Sequence, residues 1–276
     1  MPTPAETFHQ AADLAKNDPK RKGNLLQMGA PTQVVISGDI HGYQPNLTAL
    51  LNRLDQQLDL VLILQEIIHG PVDPATGIDG SPRLLLQAAE AKLRHPDRLY
   101  FLLANHDVAQ ITRKEITKNG RGVCADYMSA LAAIYADQAP DVYMASMKFL
   151  RSLPLAARFD NGVFAAHSMP SPHRAAMGGS EILDRPSTVA DMERGQPTYE
   201  WTWGRDQSEA QFAELARERD VNYFVLGHRH IGDGVLALAP NAIAICTDRS
   251  NGKVFRFNAA RPVTPEHAQD HLFSVR

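Results

Sequence analysis

Val34-Val35-Ile36-Ser37-Gly38-Asp39-Ile40-His41-Gly42 sets three β-favouring apolar residues directly ahead of a polar tip flanked by glycines. An apolar run bounded in this way reads as a buried parallel strand, with chemistry starting where the strand stops. The two glycines permit a sharp turn that a residue with a Cβ could not make cheaply. Asp39 and His41 are two apart, so in extended backbone their side chains leave on the same face. A carboxylate oxygen beside an imidazole nitrogen suits a borderline divalent metal. On its own the stretch fits equally well a helix-capping Asp39 and a loop His41.

The same punctuation recurs along the chain. Leu58 to Leu64 reads as a second buried strand and ends at Gln65-Glu66. Leu99 to Leu103 reads as a third and ends at Ala104-Asn105-His106-Asp107. Val163 to Ala166 runs into His167, and Tyr223 to Leu226 runs into Gly227-His228-Arg229-His230. Ligands collect at the carboxyl ends of strands in α/β sheets. Core histidines have no reason to prefer that place five times over. Asp39, His41, Glu66, Asn105, His167, His228 and His230 are too many ligands for one zinc, and suit two metals sharing a carboxylate.

Helical periodicity fills the intervals. Pro45-Asn46 opens a helix striped by Leu47, Leu50, Leu51 and Leu54. Arg83 to His95 and Ser208 to Arg219 are helices, and residues 107–153 are helical with breaks at Asn119-Gly120 and Pro140. Met144, Met147 and Phe149 read as core. Val235–Ala239, Ala242–Cys246 and Val254–Phe257 read as three closing strands, antiparallel neighbours of one another. Residues 71–82 read as a loop and 168–205 as a long functional loop region. Residues 1–30 read as an arm, with a short helix from Glu6 to Ala15, either packed on the body or partly disordered. No repeat or interdomain linker interrupts the pattern, so the 276 residues read as one α/β domain.

Composition narrows the class. A net charge of -3 and a pI near 6.4 give no basic field for nucleic acid or an anionic membrane. No run of 18 apolar residues and no amino-terminal signal pattern appear. The two cysteines, Cys124 and Cys246, cannot build a disulfide framework, and read as buried thiols in a reducing cytoplasm.

GDIHG (38–42), ANHD (104–107), AHSMP (166–170) and GHRH (227–230), in this order, resemble the calcineurin-like metallophosphoesterase superfamily. The run FLRSLPLAARFDNGVFAAHSMP (149–170) is similar to its phosphoprotein phosphatase branch. The resemblance implies a four-layer α/β/β/α sandwich around two divalent ions, manganese, iron or zinc. It implies one ion held by Asp39, His41 and His230 and the other by Asn105, His167 and His228, with Glu66 as the bridge. It implies that a hydroxide between the ions attacks phosphorus in line, and that His106, beside the leaving group, acts as general acid or stabilises the transition state.

Two departures stand out. The second motif carries Glu66, one methylene longer than the family's Asp. Gly70 stands where the phosphoprotein phosphatase pattern has a phosphate-clamping Arg, and His69 stands where it has the Asp that partners the catalytic histidine. Asp107 and Asp73 are candidate replacement partners. Arg205 is a candidate replacement clamp, and equally a surface loop arginine. His173 and Arg174 are candidates for the substrate entrance, and Tyr199, Trp201 and Trp203 for a pocket wall or loop packing. Arg229, between two ligand-like histidines, should point away from them.

The expected activity is therefore phosphomonoester hydrolysis of a serine/threonine protein phosphatase kind, on a phosphorylated protein or small molecule, with no nucleic-acid or membrane partner. The alternatives are a nucleotide or dinucleoside polyphosphate hydrolase, and a degenerate phosphatase fold that only binds a phosphorylated partner.

Overall fold

Every apolar run read above as a strand is one in the computed structural model, which describes residues 2–118, 120–175 and 177–276. The chain begins with α1 (Pro4–Lys16), β1 (Arg21–Lys22), β2 (Leu25–Gln27), β3 (Gln33–Asp39), α2 (Gln44–Gln56), β4 (Leu60–Gln65) and α3 (Ser81–Arg94). It continues with β5 (Leu99–Leu102), α4 (Asn105–Thr112), β6 (Thr117–Lys118), β7 (Arg121–Gly122), α5 (Val123–Tyr135) and α6 (Ala139–Arg151). Then come β8 (Ala156–Arg158), β9 (Val163–Ala166), α7 (Pro197–Trp203), α8 (Glu209–Arg219) and β10 (Tyr223–Leu226). β11 (Val235–Ala239), β12 (Ala242–Ile245), β13 (Lys253–Phe257) and β14 (Leu272–Ser274) complete it.

Side-chain alternation along the strands builds the layers. One sheet has the order β14-β13-β3-β4-β5 and the other β1-β2-β8-β9-β10-β12-β11. Val34 and Ile36 join Val61, Ile63, Tyr100 and Leu102 of their own sheet, and Val163, Val225 and Ile243 of the other, in one buried cluster. Their alternates Val35, Leu62, Leu64 and Phe101 are buried with the leucine stripe of α2. Behind the second sheet, Phe164 packs on Trp201 of α7 and Phe224 on Phe212 of α8. The result is helix, sheet, sheet, helix, the four-layer α/β/β/α sandwich that the motifs imply.

β3, β4 and β5 run parallel, as do β9, β10 and β12. A parallel bridge from Asp39 to Cys246 ties the two sheets at their carboxyl ends. Glycine makes that approach possible: a Cβ on Gly38 would lie 2.0 Å from the Ile245 carbonyl oxygen, and one on Gly227 would lie 2.4 Å from Asp39 Oδ1. The motif glycines stand where the sheets converge.

Several expectations need correction. The three closing strands are not mutual neighbours: β11 pairs antiparallel with β12, but β12 runs parallel to β10, and β13 joins the other sheet beside β3. Apolar alternation does not say which sheet a strand enters. Helix over 107–153 gives way at 113–122, where β6 and β7 pair; Asn119, half of the expected break, lies outside the described residues. Met147 and Phe149 are core, but Met144 is 56% exposed, on the outer face of α6. β8 and β14 are too short to carry a periodic signal. No described helix is long and apolar enough to cross a membrane.

The amino-terminal segment is packed. Thr3 and Glu6 cap α1 reciprocally, and Phe8, Ala11, Ala12 and Ala15 are buried on it. The Phe8 and Phe149 rings lie 6.0 Å apart, and β1 and β2 extend the second sheet. Phe8→Ala should therefore cost about 3–5 kcal/mol in reversible urea unfolding. A loss below about 1 kcal/mol, the scale of an ordinary surface substitution, would mean that α1 contributes little to the core.

Candidate metal centre

The strand ends bring six of the seven ligand-type side chains into contact. His41 Nε2 lies 3.3 Å from Glu66 Oε2, and His167 Nε2 lies 3.6 Å from Glu66 Oε1. His167 Nδ1 is 3.6 Å from Asp39 Oδ1. Asn105 Oδ1 stands 2.8 Å from His167 Nε2 and 2.9 Å from His228 Nδ1. Glu66 belongs to two groups of potential ligand atoms, one with His41 and His106 and one with Asp39 and His167. His230 stays out: it is exposed at the rim, with Nδ1 3.2 Å from an Arg249 nitrogen.

Neighbouring groups orient these ligands. His41 Nδ1 faces the Ile68 carbonyl at 3.2 Å, leaving Nε2 toward Glu66. Gln65 donates from Nε2 to the Ser37 carbonyl and turns Oε1 to His167 Nδ1 at 3.1 Å, which leaves His167 Nε2 as the nitrogen free to face an ion. The Asp39 carboxylate accepts the His228 amide. His41, Glu66, His69 and His228 all have φ between 43° and 63°, a left-handed backbone that non-glycine residues seldom adopt. Such strain clusters at functional sites.

The electrostatics call for a cation. Burial raises Asp39 to about 7, against the lowering effect of the His228 amide. Burial, and then the Asp39 charge, raise Glu66 well above the usual carboxylate range. Burial also lowers His41 to about 4, and with help from Arg205 lowers His228 to about 3. His167 and His106 are lowered for the same first reason. Burial thus favours protonated carboxyls and neutral imidazoles in the centre without metal. Two carboxylates, an amide oxygen and neutral imidazoles form a mixed oxygen and nitrogen donor set suited to borderline divalent ions.

A cavity of about 400 Å³ opens on the centre, lined among others by His106, Lys118, Arg205 and Asp248. Arg205 is thus brought to the site, its Nε donating to His228 Nε2 at 3.0 Å. Arg229 bonds away to Gln207, as alternation predicts. Asp107 does not touch the His106 ring: it caps α4, accepting the Ala104 amide at 3.0 Å. Asp73 sits in an exposed turn and caps Ala75. The ring partner of His106 is His69, with Nδ1 to Nδ1 at 2.9 Å. Trp201 is buried and packs beneath the loop, its indole bonded to the Gly178 carbonyl, whereas Trp203 lies 6.3 Å from the His228 ring. His173 and Arg174 line neither this cavity nor its neighbour.

Sequence reading missed the orienting role of Gln65, although the end of β4 marked it. It also missed Gln110 and Lys118, which no motif announces. Gly70 has a steric reason: its Cβ would come within 2.9 Å of the Gly42 Cα, so the two backbones pack directly and leave no room for a clamp arginine.

Above about pH 7 histidines are neutral in folded and unfolded chains alike, and the buried carboxyls together pull the stability slope down against the opposing Lys92, which burial lowers to about 8. Asp39, Glu66 and Asp107, the last raised to about 7 by burial, hold protons that the unfolded chain has released. The metal-free protein should therefore melt at progressively lower temperature from about pH 7 to 8.5, and divalent metal should flatten that slope. Calorimetric titration in buffers of different ionisation heat should show proton release on metal binding. Binding without proton release would contradict this picture of the centre.

The sequence profile of the calcineurin-like phosphoesterases matches residues 32–232. No curated protein sequence matches the chain significantly. A solved protein serine/threonine phosphatase from Saccharomyces cerevisiae shares the fold with a TM-score of 0.68 at 14% identity, over 96% of this chain and 82% of that one. A cold-active protein-tyrosine phosphatase from a psychrophilic Shewanella species gives 0.58 at 16% identity, over 96% and 84%. Identities this low speak to fold alone; the profile, spanning well over half the chain and every ligand motif, speaks to family. The chain belongs to the calcineurin-like phosphoesterase family, as a metal-dependent phosphoester hydrolase.

Proposed function

We propose that the protein hydrolyses phosphomonoesters at a two-metal centre bridged by Glu66, in the manner of serine/threonine protein phosphatases. The observation that carries this reading is the place of Glu66 in both groups of potential ligand atoms. Asp39, His41 and His230 would hold one ion, with His230 swinging in from the rim, and Asn105, His167 and His228 the other. When bound, two divalent cations (manganese, iron or zinc) supply Lewis acidity toward the phosphoryl oxygens and an activated water.

The chain's own residues do the rest. Arg205 faces the cavity beside His228, and once the His228 ring holds an ion it no longer accepts from Arg205 Nε, which leaves the guanidinium for phosphoryl oxygens. Lys118 adds positive charge to the same cavity. Asp107 serves catalysis only through α4, by capping the turn that presents Asn105 and His106. His106, neutral at rest, takes up a proton from solvent at Nε2, the ring nitrogen not engaged by His69, and gives it to the departing oxygen. The two free, buried cysteines support a reducing, cytoplasmic setting.

A second reading, a nucleotide or dinucleoside polyphosphate hydrolase, draws on a neighbouring cavity of about 530 Å³. It shares His41, Lys118 and Asp248 with the site and has room for a large leaving group. Comparing kcat/KM on a phosphopeptide, p-nitrophenyl phosphate and a dinucleoside polyphosphate separates the two. A metal-loaded protein that turns over none of them is a binder.

Glu66→Gln keeps the shape and removes the bridging charge, so elemental analysis should find at least one ion lost per chain, and Glu66→Asp should retain both. A Gln variant that holds two ions as tightly as the parent would remove the bridge. His106 lies as near His41 and Glu66 as a ligand would, and substitution tells the roles apart. As general acid, His106→Ala should keep both ions and lose about 10²–10⁴-fold in rate on an alkyl phosphate, with a smaller deficit on p-nitrophenyl phosphate. Loss of metal from His106→Ala would make it a ligand instead.

A further inference from the structure

His69 and Gln110 are 1% and 2% exposed, and the reading above gives neither any chemistry. His69 Nδ1 lies 2.9 Å from His106 Nδ1, and His69 Nε2 lies 2.8 Å from Gln110 Oε1. His106 and Gln110 are four residues apart on α4, so they share one face of the helix. His69, from the turn after β4, is inserted between them.

The hydrogens follow from the partners. An amide oxygen only accepts, so His69 Nε2 carries the hydrogen of the second bond. A neutral imidazole carries one hydrogen, so His69 Nδ1 offers a lone pair and His106 Nδ1–H donates to it. His106 Nε2 is then the nitrogen at which a proton arrives and leaves. We propose that His69, set by Gln110, is a positioning residue that fixes the Nδ1–H tautomer and the ring plane of His106, presenting Nε2 to the leaving-group oxygen. The proposal rests on the reading of His106 as general acid.

The surroundings are built to hold this pair. The His69 amide donates to Ser81 Oγ at 3.0 Å, and Ser81 Oγ donates to Asp79 at 2.8 Å, which fixes the left-handed backbone at His69. The Tyr127 ring packs on the His69 ring at 5.7 Å, and the His69 and His106 rings meet edge to face at 5.0 Å. A neutral acceptor also adds no charge to a region that already buries Asp39, Glu66, Asp79 and Asp107. A carboxylate at position 69 would add a fifth acid to that region.

Histidine-labelled, zinc-loaded protein gives a direct test through long-range ¹H–¹⁵N spectra. The parent should show His106 with hydrogen on Nδ1 and none on Nε2. His69→Asn puts Oδ1 at the same bond distance from the backbone as Nδ1 and should preserve that tautomer; His69→Phe keeps a ring against Tyr127, removes the acceptor and should lose it. On an alkyl phosphate, His69→Phe should lower kcat about 10–10²-fold with KM and metal content nearly unchanged, and His69→Asn should recover most of the loss. A purely packing role predicts the reverse order, Phe faster than Asn. That order, or a parent His106 with its hydrogen on Nε2, overturns the proposal. If the parent hydrolyses no phosphate ester, the phosphatase reading fails, and the spectra still decide the tautomer.

Discussion

Asp39 and Glu66 put two carboxylates into one water-poor pocket, and among the described residues only histidine nitrogens come within ion-pair distance of them. Burying two like charges without compensation is unfavourable by several kcal/mol per ion. The folded chain meets that cost by keeping protons on the carboxyls or by taking up cations. Four non-glycine residues around the pair sit in left-handed backbone, a conformation that costs roughly 1–2 kcal/mol each. Two packed cores, one between the sheets and one beneath the helices, hold that strain in place. The candidate ligands are thus held together by the fold itself.

Close packing at the sheet ends also accounts for what the chain lacks. Gly38 and Gly227 let the two sheets meet at Asp39, and Gly42 and Gly70 let the turns after β3 and β4 touch backbone to backbone. A side chain at position 70 would force those turns apart and carry His41 and Glu66 with them. Positive charge for an anionic substrate has to come from elsewhere, and Arg205 and Lys118 face the cavity from two separate segments of chain. The same turn that excludes an arginine carries His69 under His106.

The fold was largely legible because its strands are apolar runs that stop abruptly at polar, glycine-flanked ends, and the candidate ligands lie at those ends. Asp39, His41, Glu66, Asn105, His167 and His228 could be picked out by position before any contact was known. What stayed hidden depends on direction and partner. Alternation gives a strand its faces but not its sheet, hence the misplacement of β13. A histidine's spacing does not tell whether it reaches inward, and His230 ends at the rim. Asp107 looked like a partner for its neighbour His106, but as the third residue of α4 its carboxylate turns back to the Ala104 amide. Gln110 and Gln65 act by orienting histidines brought to them from other segments, and no local pattern encodes such a pairing.

The central claim is that Glu66 joins two half-sites into one centre. Anomalous diffraction from crystals grown with manganese tests it most directly. The account predicts two metal peaks per chain, one on each side of the Glu66 carboxylate, with Asp39 and His41 on one and Asn105, His167 and His228 on the other. A single peak, or two peaks with Glu66 turned away from both, would contradict it.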